Sequence, residues 1–273
     1  MIGPRSTIVS ESRDRVLKRL MYRYYERQLE AEVRRGPLPT HVGVVLDGNR
    51  RFAVKHGLAR AADGHRRGAD NADHLVMWCD ELRIPVVTLW ALSTDNLRRA
   101  PDELDAIYGI VEDKVEQLAE MQQQSSFPRR VRAVGRRELL PESTRCAIER
   151  VERGTASNAP NELIIAVGYG GREEITDAVR RMIADRIVRG DSLEGVASGF
   201  DPDEIGRYMY AADVPDPDLI IRTSGELRLS GFLLWQSAYS EYYFCDVFWP
   251  EFRRIDFLRA LRSYERRERR RGT

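Results

Sequence analysis

Cysteine is scarce. The 273 residues contain three, Cys79, Cys146 and Cys245, far apart and never in a C-x-x-C pair. That pattern argues against a disulfide framework or a structural zinc site and points to a reducing compartment. Long apolar runs are missing too. The longest candidate, Ile84 to Leu92, is of strand length and is interrupted by Pro85 and Thr88, far short of the ~18 residues of a membrane span. The opening stretch MIGPRSTIVSESRDR has no apolar signal core. A soluble, cytoplasmic protein is therefore expected. Net charge is almost absent, since 44 Lys+Arg oppose 43 Asp+Glu and leave +1; this balance gives no reason to expect a nucleic-acid partner. There is no internal repeat, no low-complexity stretch, no GxxxxGK[ST], no GxSxG and no HExxH. A P-loop nucleotide site, a serine elbow and a zinc-protease helix are thereby set aside.

What is present is a globular mixture, 42% hydrophobic and 32% charged in a 31.4 kDa chain. That length buries a core without metal or disulfide staples. Residues 13–34 read as an amphipathic helix, with Val16, Leu17, Leu20, Met21, Tyr24, Tyr25 and Leu29 at helical spacing, stopped by Gly36-Pro37-Leu38-Pro39. From there short apolar runs alternate with helical patterns. Strands are expected at 41–47, 84–92, 131–135, 162–168 and 219–223, with GFLLW (231–235) as a sixth element; helices are expected at 68–82, 102–121, 142–153, 172–188 and 255–268. Near-continuous apolar strands separated by helices of ten or more residues predict βαβ units and a parallel sheet covered on both faces. No linker is long enough to split the chain, so one α/β domain is expected. Arg266, Arg267, Arg269, Arg270 and Arg271 read as a solvated basic end.

In such sheets ligands gather beyond the carboxyl ends of the strands, and four of these ends carry unusual chemistry. Asp47-Gly48-Asn49-Arg50-Arg51 joins a carboxylate suited to Mg²⁺, a glycine permitting close approach and two arginines suited to phosphate; an ordinary turn with Asp47 as helix cap would also account for it. Ser93-Thr94-Asp95-Asn96, with Arg98 and Arg99 behind, is either a polar site loop or another capped loop. Gly168-Tyr169-Gly170-Gly171-Arg172 resembles a dinucleotide glycine turn but has Glu173 at the third glycine position, so a tight turn is the better reading. The segment from Arg222 through Arg228 to Ser230 and Gly231 concentrates arginines, hydroxyls and glycines as a diphosphate site does. Two basic, glycine-bearing loops suggest two phosphate groups, with Asp47 and Glu241 as candidates for a metal between them. His65 follows Gly64 near the first loop; a surface or helix-start position would explain it equally. His41, His56 and His74 carry no functional reading.

The motifs HVGVVLDGNRRF (41–52), GHRRGA (64–69), LSTDNLRR (92–99), AVGYGGREEI (166–175), DLIIRTSGELRLSGFLLWQSAYSEYYF (218–244) and FWP (248–250) resemble, in order and spacing, those of the cis-prenyltransferases, or Z-isoprenyl diphosphate synthases. The likeness runs from about Pro39 to the final helix, giving a 1–38 helical segment and a 39–273 catalytic domain. It implies six mainly parallel strands flanked by helices, a hydrophobic tunnel, a homodimer and a Mg²⁺ requirement. The implied reaction joins isopentenyl diphosphate to an allylic diphosphate with a new Z double bond. The DDxxD motif of the trans-type synthases is absent. Position by position, the resemblance makes Asp47 the Mg²⁺-associated aspartate. Gly48, Asn49, Arg50 and Arg51 become the cradle of the allylic diphosphate, with Phe52 at its end and Arg60 assisting. Asn49, His65 and Ser93 become the polar group near the reacting carbon. Asp95 and Asn96 become a mobile loop closing on substrate, with Arg99 at its end. Arg222, Arg228 and Ser230 become the isopentenyl diphosphate site. Glu241 becomes the second acidic residue for Mg²⁺, with Glu226 in the same loop. The catalytic set so implied is Asp47, Asn49, His65, Ser93 and Asn96.

Some positions depart from the common pattern. Arg50 stands where glycine is common, Phe52 and Leu97 where tryptophan is, Arg136 where aspartate is and Gly168 where asparagine is. One extra residue separates Arg60 from Gly64. These features look like the actinobacterial short-chain members, which make a fifteen-carbon Z,E-farnesyl product, whereas Ala91 is small where bulk would plug a tunnel. A long-chain lipid-carrier synthase is the alternative, and a noncatalytic partner subunit the alternative of another class. The 13–34 helix either packs on protein or touches a membrane that holds the amphipathic substrates.

Overall fold

The computed structural model describes residues 20–158 and 160–271, with side chains except at 193, 198 and 268–271. Val16, Leu17 and the side chains of Arg269, Arg270 and Arg271 therefore lie outside the described residues. Two compact units are distinguished, one from Pro39 to Phe252 and one joining the residues up to Leu38 with those from Arg253 on. The final helix, read from sequence as part of 39–273, groups with the N-terminal helix.

In the larger unit six strands form one parallel sheet. They are β1 (His41–Val45), β2 (Val86–Ser93), β3 (Arg130–Val134), β4 (Glu162–Tyr169), β5 (Leu219–Arg222) and β6 (Glu241–Phe244), in the order β3-β4-β2-β1-β5-β6. Every residue of β1, β4 and β5 is buried, as expected of strands covered on both faces. Each such Val, Leu or Ile contributes roughly 1.5–3 kcal/mol by leaving water. The helices are α2 (Asn49–Lys55), α3 (Ala61–Glu81), α4 (Pro101–Gln124), α5 (Glu142–Thr155), α6 (Gly171–Arg189), α7 (Leu193–Ser198) and α8 (Pro202–Gly206). α3 packs on α4, and α4 on α5.

The smaller unit holds helix α1, seen over 20–33, and α9 (Arg254–Arg271). Arg254 bonds Glu26 at 3.2 Å and Glu30 at 3.0 Å, tying one helix to the other.

Most expected elements are present within a few residues. The sixth strand is not. GFLLW forms turns, with Ser230, Gly231 and Leu233 all at positive φ, and Phe232 stacks on Trp90 with ring centroids 5.3 Å apart. The sixth strand is EYYF, an edge strand whose residues are only half-buried. α3 starts at Ala61 rather than Gly68 because Arg60 and Asp63 form a capping box there.

Candidate active site

β1 ends at Val45, in register with Arg222, the last residue of β5. The chain reverses its sheet direction beside β1, where β2 lies on one side and β5 on the other, so the carboxyl ends of these strands border a crevice. Gly48 starts α2 at φ +105°, and a Cβ there would come within 2.9 Å of Phe248. Asp47 caps nothing. No side chain caps α2, and the Asp47 carboxylate instead meets Arg222 Nη2 at 3.1 Å and Arg51 Nη2 at 3.5 Å. Its own main chain is pinned by Thr223, whose hydroxyl donates to the Asp47 carbonyl at 2.8 Å.

Arg222 is 4% exposed. Its guanidinium also donates to the Ser230 hydroxyl at 2.7 Å and to the Arg228 carbonyl, which shapes the loop after β5. Arg222 Nε is buried with no partner in the protein. The loop is further held by Gly171, whose N–H donates to the Gly231 carbonyl at 2.8 Å. A Cβ on Gly171 would sit 2.5 Å from that oxygen, so the glycine turn after β4 serves close packing rather than a dinucleotide. Arg51 spans to this loop as well, bonding Ser224 Oγ at 2.7 Å and Glu226 at 3.1 Å.

On the other flank stands a cluster that the sequence alone did not disclose in full. His65 Nε2 lies 3.1 Å from Glu103 Oε1, and Arg99 Nη1 lies 2.8 Å from the same oxygen. Arg99 Nη1 also faces His65 Nε2 at 3.2 Å, so that nitrogen either donates to Glu103 or accepts from Arg99, according to the tautomer. Burial pushes the His65 pKa below its ordinary value, against the opposing pull of Glu103. Burial alone would raise Glu103, but the His65 hydrogen bond and the charges of Arg99 and Arg50 outweigh it and hold the carboxyl below its usual range. Glu103 has no motif signal; it lies one helical turn after Arg99, which is the only sequence hint. Ser93 Oγ accepts from the Asn96 N–H at 3.1 Å and so shapes the loop after β2.

These residues line one cleft of about 910 Å³. It collects Asp47, Gly48, Asn49, Arg50, Arg51, His65, Ser93, Asp95, Asn96, Arg99, Arg222, Arg228 and Ser230 from the sequence reading, and adds Lys55, Trp90 and Phe248. Six cationic side chains face two carboxylates in this lining, the composition of a site for polyanions. Asn49 Oδ1 and the Trp90 indole N–H are buried there without partners. Three expected residues are not brought in. Phe52 is buried on the far side of α2, against His56. Arg60 is turned to Asp63 at 3.2 Å. Glu241 opens β6 opposite Leu219, at the amino end of a parallel sheet whose carboxyl end carries Asp47, so within one chain it stands apart from the cleft.

A second, apolar slot of about 90 Å³ leads off the cleft between α3 and α4, sharing Leu46, Asn49, His65, Ala91 and Ile107 with it. Gly68, Ala69 and Ala72 make the α3 wall thin.

Residues 45–272 match the family described as "Putative undecaprenyl diphosphate synthase". The chain belongs to that family, the cis-prenyltransferases. The (2Z,6E)-farnesyl diphosphate synthase of Thermobifida fusca is 51% identical over 252 residues, covering 92% of this chain and 97% of that protein. The tritrans,polycis-undecaprenyl-diphosphate synthase (geranylgeranyl-diphosphate specific) of Methanopyrus kandleri is 48% identical over 275 residues, covering 99% and 98%. Among solved structures, lavandulyl diphosphate synthase from Lavandula x intermedia, in complex with dimethylallyl diphosphate, superposes with a TM-score of 0.78 at 33% identity, covering 84% of this chain and 95% of that one. The protein is thus a prenyl-transferring enzyme with the six-stranded cis-prenyltransferase fold. Among the described residues no helix is long and apolar enough to cross a membrane.

Proposed function

We propose that this cis-prenyltransferase joins isopentenyl diphosphate to geranyl diphosphate and releases a short Z product such as Z,E-farnesyl diphosphate. The observation that carries the reading is the pairing of a large polycationic cleft with a tenfold smaller apolar slot opening from it. The cleft suits two diphosphates and the slot suits little hydrocarbon.

The residues fit Mg²⁺ in one specific way. Among the described residues no three His, Cys, Asp or Glu side chains cluster as a resident metal cage. Asp47 and Asp95 are the carboxylates at the cleft wall, Asp47 at the end of the strand beside Arg222, and Mg²⁺ characteristically binds through one or two carboxylates plus substrate phosphates and water. Asp47 would hold the ion as it arrives with diphosphate. Bound there, Mg²⁺ supplies neutralisation of the charge that builds on departing pyrophosphate.

The protein's own groups supply the rest. Arg50, Arg51 and the Gly48–Asn49 turn bind and orient the allylic diphosphate. Arg222, Arg228 and Ser230 hold isopentenyl diphosphate beside it, and this placement removes much of the entropic cost of bringing two reactants together. The allylic C–O bond breaks as the isopentenyl double bond supplies its electron pair to the new C–C bond, and a proton then leaves the isopentenyl carbon. His65, kept neutral by burial, and the unpartnered Asn49 oxygen are the polar groups available at the slot mouth to receive and steer that proton. Ser93, Asp95, Asn96 and Arg99 form the wall that closes over the pair.

Two further expectations belong to this reading. The enzyme works as a cytoplasmic homodimer, which light scattering after gel filtration tests. The exposed Leu20, Met21 and Tyr24 of α1 suit peripheral contact with a bilayer, which vesicle sedimentation tests. A long-chain synthase is the second reading, favoured by the small Ala91 at the slot mouth and by likeness to the Methanopyrus protein. A noncatalytic subunit fits poorly with Asp47, Asn49, Arg222 and Arg228 all in one cleft. The deciding experiment supplies Mg²⁺ and labelled isopentenyl diphosphate with geranyl or farnesyl diphosphate and reads product length and geometry. One Z addition to geranyl diphosphate supports the short-chain reading; products of many units replace it with the second.

A further inference from the structure

The apolar slot contains one feature foreign to a hydrocarbon channel. Its lining includes Asp73 of α3 and Lys114 of α4 among Val76, Ile110, Val111, Val115 and Leu118. Lys114 Nζ lies 2.7 Å from Asp73 and 3.0 Å from Asp70. The lysine and Asp73 side chains are largely buried, at 16% and 21% exposure. Burial would depress the Lys114 amine, but its hydrogen bonds to Asp73 and Asp70 outweigh that and hold it above its ordinary value, so the lysine keeps its charge at neutral pH.

The depth of the pair follows from helix geometry. Both helices run inward from the mouth, since His65 meets Glu103 near their starts and Asp73 meets Lys114 further along. Ile107 lines both the cleft and the slot. Lys114 stands seven residues beyond it, about 10 Å deeper at ~1.5 Å per residue. An extended isoprene unit adds four carbon–carbon bonds to the chain, roughly 4.7 Å by ordinary bond geometry. Two units therefore reach the bridge. A third, carrying the diphosphate, remains in the cleft.

We infer that the Lys114–Asp73 bridge is the element that ends chain growth in this enzyme, by closing the slot between α3 and α4 about two isoprene units below its mouth. A longer chain has to part the two helices and lie against an ion pair stripped of its remaining water. Both are costly, because a partly buried pair that loses solvent or a partner leaves poorly compensated charge. The inference rests on the reading of the slot as the product channel.

The test compares the wild type with Lys114→Leu/Asp73→Leu, geranyl diphosphate and isopentenyl diphosphate being supplied with Mg²⁺ and products resolved by length. In the double variant the fraction of product with two or more additions is expected to rise at least tenfold. Lys114→Arg, which keeps the bridge, is expected to retain the wild-type product. Should the double variant fail to give a native circular-dichroism spectrum, Lys114→Met alone serves, with the same direction of change. An active, folded variant with unchanged product length overturns the inference while the prenyl-transfer reading stands. A wild type that already adds many units overturns both the inference and the short-chain reading. A wild type that condenses nothing overturns the prenyl-transfer reading and the inference with it.

Discussion

Arg222 Nη2 stands 3.1 Å from Asp47 Oδ2, and the two are brought together from neighbouring strands. Arg222 closes β5 opposite Val45, so the residue two places beyond Val45 falls beside its guanidinium. The same guanidinium reaches Ser230 and the Arg228 carbonyl. One buried arginine thus orients the carboxylate on one side and shapes a phosphate-type loop on the other. A flexible ammonium has no planar fork with which to meet three such acceptors. Arg222→Lys is expected to lower kcat/KM for isopentenyl diphosphate by about 10²-fold, comparable to loss of one preorganised electrostatic group. Asp47→Asn is expected to cost a similar factor, and the double variant to cost less than the product of the two, because the residues are coupled. Additive losses in steady-state kinetics would show that they act separately.

Gly68 is a contact point for two residues, Asn49 and Trp249. A Cβ there would lie 2.2 Å from Asn49 Oδ1 and 2.9 Å from Trp249, and the Gly68 carbonyl accepts from the Trp249 indole at 2.6 Å. Gly68→Ala is expected to shift the Asn49 amide at the slot mouth and to lower kcat roughly tenfold, with a change in KM under threefold, by the sensitivity of reaction rate to small misplacements. A variant with wild-type kcat would remove Asn49 from the reacting centre.

His41 gives the fold a defined acid limit. It is buried at the start of β1, with Nδ1 2.7 Å from the Pro215 carbonyl and Nε2 2.8 Å from the Thr88 hydroxyl. Burial lowers its pKa to about 4 from 6.5. Between those values the unfolded chain binds a proton that the folded chain refuses, so stability falls as pH drops through 6.5 toward 4. The loss approaches about 3 kcal/mol. Urea midpoints measured across that window check this, and His41→Gln should flatten that part of the profile. A wild-type midpoint that does not move between pH 6.5 and pH 4.5 would contradict it.

Arg129 anchors the amino ends of the strands without touching the cleft. It is fully buried, with Nε 2.7 Å from Asp80 and further donation to the carbonyls of Ile84, Pro85 and Glu162. Arg129→Met leaves a partly buried carboxylate and three carbonyls without that donor, at a cost of ~3–5 kcal/mol. The urea midpoint should fall accordingly while product length stays as in the wild type. A loss under about 1 kcal/mol, the scale of an exposed pair, would refute the anchoring role.

The extent to which this molecule was legible beforehand differs from element to element. β4 reads directly, because it is buried throughout and every residue after Glu162 is apolar or glycine, up to Tyr169. EYYF does not, because an edge strand needs no continuous apolar run and its aromatics look like any loop's. GFLLW misleads for the opposite reason: it is apolar because Phe232 and Leu233 are buried against Trp90 and Tyr169, while its positive φ angles forbid a strand. Within the site, Asp47, Asn49, Arg51 and Arg222 are visible because they follow strands. Glu103 and Lys114 sit in the polar-and-apolar alternation of an ordinary amphipathic helix, where a salt-bridged wall residue cannot be told from a solvated one.

The chain's pattern of apolar runs and helical faces determined, by itself, the parallel sheet and the strand ends at which chemistry collects, since both follow from local burial and spacing. Tertiary structure decided which of those ends meet. It put Arg222 beside Asp47 through strand register, left Arg60 and Glu241 away from the cleft, and set Lys114 against Asp73 through the packing of two helices. Such pairings depend on distances between segments far apart in sequence, and no local pattern of residues encodes a distance of that kind.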